Sequence, residues 1–124
     1  MGYDTGEFRF TWDWNRVIMN PNITMDIINK HPEKPWVFNY ISSNPNLTIE
    51  FILSNRNKYW NWGGVSRHKN ITWDIITQYP ELPWEWGSVS CNPNITMDIV
   101  LNHPFQSIVQ PPHILNLAQY LVQS

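Results

Sequence analysis

One carboxylate recurs every 24 residues in this chain, as Asp26, Glu50, Asp74 and Asp98. On stacked helices about 8–10 Å apart, such a row would overlap the wider spacing of the paired acids in inverting glycosidases. Each of these acids, however, stands two positions after a threonine (Thr24, Thr48, Thr72, Thr96). There the positive end of a helix dipole favours an anion, which accounts for all four without catalysis. No catalytic residue is expected, and the chain reads as no enzyme. His31 and His103 occupy equivalent positions three periods apart, with Asn55 and Tyr79 between them, too distant to share an ion. His68 replaces a turn asparagine, and His113 falls in the C-terminal segment. No metal and no other cofactor is expected. Cys91 is the only cysteine, so no intrachain disulfide is possible, which favours a reducing compartment.

The aromatic residues are periodic too. Trp12, Trp36, Trp60 and Trp84 are spaced by 24, as are Trp14, Phe38, Trp62 and Trp86. The first series could stack bases, sugars or proline-rich peptides. Alternatively it is the core between units, which small units need because only large side chains bury enough area; the core reading is favoured. Trp73 differs, because its equivalents are Met25, Ile49 and Met97, and it is a candidate surface contact. Asn22, Asn46, Asn70 and Asn94 each open an Asn-x-Thr sequon. As glycosylation sites they would imply a surface glycoprotein. As turn residues ahead of a capping threonine they explain the period directly, and that reading is preferred.

These residues are positioned by a tandem repeat, the signal to seek before any other. Asn-Pro-Asn-Ile-Thr-Met-Asp-Ile begins at Asn20 and returns at Asn92, with related strings from Asn44 and His68. Val17, Ile41, Val65 and Val89 keep the same phase, and no gap is needed. The expected organisation is one repeat domain over 1–124: a half unit at 1–19, units at 20–43, 44–67 and 68–91, and a degenerate unit with a C-terminal cap at 92–124. The cap is read from the helical spacing of Ile114, Leu115, Leu117, Ala118, Leu121 and Val122.

Each unit reads as two short helices. Thr24 is an N-cap, Asp26 complements the dipole, and Ile23 with Ile28 has staple spacing. Pro32, Pro80 and Pro104 are expected to end the first helix. Pro35 and Pro83 are expected in the first turn of the second, where proline is tolerated. Trp-x-Trp also fits the period of a strand, but the consistent caps favour helix. Helices this short are unstable alone and must stack. The expected fold class is all-α, helix-turn-helix repeats of 24 residues arranged as an α-solenoid.

At these residues the sequence resembles the uncharacterised tandem-repeat proteins of giant viruses, the mimivirus relatives, over roughly 12–104. The fullest spelling is Asn70-Ile71-Thr72-Trp73-Asp74-Ile75-Ile76 followed by Pro83-Trp84-Glu85-Trp86. The departures are His68-Lys69 for Asn-Pro, and Arg56 and Tyr59 for two prolines; they weaken local turns and leave the phase intact. The resemblance implies a viral origin and carries over no catalytic residue.

A net charge of −2, with eight scattered Lys and Arg, argues against nucleic acid as a partner. No apolar run approaches the ~20 residues that cross a bilayer, and the N-terminal residues lack the pattern of a secretory signal. The reading is a soluble protein of the host cytoplasm or the virion, with no membrane partner. Its expected role is a scaffold that binds another protein, and the alternative is a self-assembling structural protein of the virion. The candidate binding residues are those that vary between units: Lys30, Ser54, Gln78 and Asn102 on the first helix, Val37, Asn61 and Glu85 on the second, and Trp73.

Overall fold

The computed structural model describes residues 10–103. Among them it contains eight short helices and no strand. Six-residue helices, α2 (Met25–Lys30), α4 (Ile49–Ser54), α6 (Trp73–Gln78) and α8 (Met97–Asn102), alternate with one-turn helices. The latter are α1 (Trp14–Val17), α3 (Phe38–Ile41), α5 (Trp62–Ser66) and α7 (Trp86–Val89). Residues 1–9 of the expected half unit at 1–19, and the expected C-terminal cap after residue 103, lie outside the described residues.

The six-residue helices start as their sequence dictates. The hydroxyls of Thr24, Thr48, Thr72 and Thr96 accept from the amides of Ile27, Phe51, Ile75 and Ile99 at 3.2–3.3 Å, each satisfying one unpaired first-turn donor. They stop at His31, Asn55, Tyr79 and His103, whose ψ values of 39–61° leave the helical region. Asn55 ends α4 with Arg56 following it, so proline is not what stops that helix.

The one-turn helices begin three residues after the prolines expected in their first turn. Pro35 and Pro83 lie ahead of α3 and α7, as do Trp36 and Trp84. The cause is a hydrogen bond specific to tryptophan. The indole Nε1–H groups of Trp36, Trp60 and Trp84 donate to the carbonyls of His31, Asn55 and Tyr79 at 2.7–2.9 Å. Each indole thereby folds back over the end of the preceding helix and caps a carbonyl there. The next helix can start only after that reversal, with Val37, Asn61 and Glu85 extended at its N-cap.

Successive periods are joined by asparagine amides. In each turn an i→i+3 hydrogen bond closes the Asn-Pro-Asn stretch, as from Leu47 N–H to the Asn44 carbonyl. The side chains then reach back one period. Asn44 Nδ2 donates to the carbonyls of Ile18 and Ile23, and Asn92 Nδ2 lies 2.9–3.1 Å from those of Ser66, His68 and Ile71. Asn46, Asn70 and Asn94 do likewise, each touching two carbonyls of the preceding turn at 2.8–3.0 Å. His68 takes the ladder asparagine's place: its Nδ1 accepts from Asn70 N–H, so Nε2 carries the hydrogen and donates to the Asn44 carbonyl at 2.7 Å.

The apolar core runs beside this ladder. Ile18, Ile41 and Val65, with Leu47 and Ile71, and Ile52 and Ile76, are wholly buried. Ring pairs cross each junction edge-to-face, Trp14 on Trp36, Phe38 on Trp60 and Trp62 on Trp84, with centroids 5.2–5.8 Å apart. No helix among the described residues is long and apolar enough to cross a membrane.

Candidate functional site

The tryptophan series offers no open stacking ladder. Trp60 and Trp84 are buried and Trp36 is half-buried, while Trp12 is 69% exposed. The acidic series is scattered along the surface: Asp26, Glu50, Asp74 and Asp98 are all exposed in helix first turns. Asp26 pairs with Lys30 at 3.1 Å, an i,i+4 contact in open solvent that contributes little. Among the described residues, no three His, Cys, Asp or Glu side chains stand together as a metal site requires. His31 faces Glu33 at 3.4 Å, and the Cys91 thiol is exposed.

The residues that vary between periods fall into two sets. Lys30, Ser54, Gln78 and Asn102 are the last residues of α2, α4, α6 and α8, and all four are exposed. Val37, Asn61 and Glu85 are the N-cap residues of α3, α5 and α7, also exposed. Two of these three have a folding role that their variability concealed. Asn61 Oδ1 accepts from Gly64 N–H at 3.1 Å and Glu85 Oε1 from Ser88 N–H at 2.7 Å. Their own amides donate to the hydroxyls of Ser42 and Ser66 at 2.9 Å. Hydrogen bonds from Ser88, side chain first and then backbone, hold the Glu85 carboxyl below its ordinary pKa, and Arg67 adds a smaller attraction.

Trp73 is half-buried. It meets Trp86 edge-on at 6.3 Å and lies tilted on His103 at 5.1 Å. Its equivalents Met25 and Ile49 are buried, and Met97 is 69% exposed. With Trp86, Ile95, Ile99, Val100 and His103 it lines an apolar groove of about 260 Å³.

A second groove, of about 240 Å³, lies along α2 and α4, and the motif pattern did not point to it. Ile28, Trp36, Phe38 and Phe51 form its apolar walls, and Lys34 and Lys58 stand with them. Lys58 Nζ sits over the Phe38 ring at 5.5 Å and Lys34 Nζ over Trp14 at 5.9 Å, both within cation–π range. The only sequence signal was that 34 and 58 differ by one period and the third member is Leu82. No family model, curated protein or solved structure matches the chain.

Proposed function

We propose that the chain is a short α-solenoid of 24-residue repeats, of giant-virus origin, that serves as a non-enzymatic scaffold binding another protein in the host cytoplasm or the virion. One observation carries this reading. The polar groups that recur in phase are consumed internally: threonine hydroxyls in caps, indole N–H groups on helix-end carbonyls, asparagine amides across the turns. The side chains left to meet a partner are the exposed variable ones, and Ser54, Gln78 and Asn102 make no side-chain hydrogen bond among the described residues. The glycosylation reading loses support for the same reason, since the amide nitrogens of Asn46, Asn70 and Asn94 each lie on two carbonyls.

Photo-cross-linking from Ser54 and Gln78 in infected cells is the test. Capture of a defined protein from Ser54 that is lost on Gln78→Glu, and from Gln78 that is lost on Ser54→Glu, supports the reading, and no protein adduct from either position counts against it. Self-assembly as a virion protein is the second reading, favoured by the exposed Trp12 and by the apolar groove beside Trp73 near the other end of the described stretch. A sedimentation coefficient independent of concentration would exclude it.

A further inference from the structure

From the groove between α2 and α4 we infer a docking site for an acidic peptide segment, in which one aliphatic side chain enters the apolar floor and flanking carboxylates meet Lys34 and Lys58. This inference rests on the protein-binding reading and names a partner class for it, at a groove that the variable helix-end residues adjoin but do not line.

The groove is open here because two positions differ from their counterparts in the next period. One period later, the counterparts of Asn55 and Lys58 are Tyr79 and Leu82, and Leu82 is 5% exposed. There an apolar side chain closes the surface. At 58 a lysine stands instead, carrying its ammonium out over the Phe38 ring. Burying only the stem of a lysine is ordinary, but here it leaves an apolar cleft open beside Phe38 and Phe51, whose rings stack at 6.1 Å.

The charge at the rim is only partly compensated. The nearby carboxylates already have partners: Asp26 holds Lys30, Glu33 faces His31 and Glu81 holds Arg56. Among the described residues, Lys58 has the Phe38 ring and no carboxylate as a partner, while Lys34 lies over Trp14 and shares a minor electrostatic attraction with Glu33. Two ammonium groups beside one apolar cleft complement an acidic segment with an apolar residue between its charges. At about 240 Å³ the cleft falls below the usual range for cofactor-sized ligands. Phe38 is a poor stacking platform for a base, since Lys58 lies over its ring and Phe51 already stacks against it.

The experiment is fluorescence anisotropy at low salt on the full chain with a dye-labelled Glu-Glu-Leu-Glu-Glu peptide. A Gln-Gln-Leu-Gln-Gln peptide and a labelled oligothymidylate serve as comparators. The acidic peptide binds, and the double variant K34Q/K58Q weakens it about tenfold, as two solvent-facing ion pairs together would. Lys58→Leu, which reproduces the next period, closes the cleft and abolishes binding while raising the melting temperature. Equal binding of the glutamine peptide, unchanged binding by K34Q/K58Q, or preference for the oligonucleotide would each overturn the inference. Cross-linking from Ser54 and Gln78 is a separate readout, so the docking site can fail while the scaffold reading stands.

Discussion

Replacing Asn92 by Ala tests whether the asparagine ladder, more than the helices, holds one period to the next. Asn92 is 3% exposed, and its amide nitrogen lies within 3.1 Å of three carbonyls. Two of those carbonyls keep another donor in its absence. Ile71 O still accepts from Asn94 Nδ2, and His68 O from Ile71 N–H. Ser66 O has no other donor among the described residues, and Asn94 N–H loses its 2.7 Å bond to Asn92 Oδ1. Two polar groups are therefore stranded at about 1–3 kcal/mol each, so a loss of roughly 3–4 kcal/mol is expected from a total of about 5–15 kcal/mol for a domain of this size. Urea denaturation at constant m-value measures it, and exchange of the Asn94 amide should accelerate in parallel. Asn92→Asp should be worse near neutral pH, since it keeps the acceptor for Asn94 but turns a carboxylate oxygen towards carbonyls. A loss under about 1 kcal/mol, no larger than that of a surface control such as Asn57→Ala, would refute the reasoning.

Gly64→Ala should stabilise by about 0.5–1 kcal/mol, because a Cβ there meets only ordinary contacts at 3.4 Å or more and alanine is the better helix former; thermal melting reads the gain. Thr72→Ala removes the cap from α6 and should cost about 1 kcal/mol in urea unfolding. Trp84→Phe keeps a ring against Trp62 but loses the indole bond to Tyr79 O, and a loss of about 1–2 kcal/mol is expected by the same assay. Glu85 contributes to stability through a carboxyl held below its unfolded pKa near 4.5. That contribution is present above 4.5 and lost as pH falls through the lower folded value, so Glu85→Gln should flatten the stability–pH curve on the acid side.

The first half of each period was legible because its signals are local. Thr48, Glu50 and the apolar residues after them determine a cap, a dipole partner and a buried face within one helix, and α4 lies where they put it. The second half was misplaced by three residues because its determinant is not local in the same sense. The Trp60 indole bonds a carbonyl five residues earlier, at the end of another element, and no periodicity encodes that reversal. Asn61 and Glu85 were read as free because they vary, yet asparagine and glutamate can both cap a helix while Val37 at the same place cannot. The aromatic groove is not encoded by the motif: it stays open where Lys58 stands in place of its later counterpart Leu82, which is buried.

His68 shows how the fold separates what must stay from what can change. It differs from asparagine in size and chemistry, yet it supplies one acceptor to the amide two residues on and one donor to the turn a period back. Asn44 and Asn92 supply the same pair. What the junction demands is that donor and acceptor in a buried place, since either left unmade is costly. The helices α2, α4 and α6 face no such demand at their last residue, because a tryptophan from outside closes the carbonyl just beyond it. Lys30, Ser54 and Gln78 can therefore differ freely without disturbing a junction. The exposed helix-end residues thus vary over a ladder whose donor and acceptor stay the same even where its side chain changes.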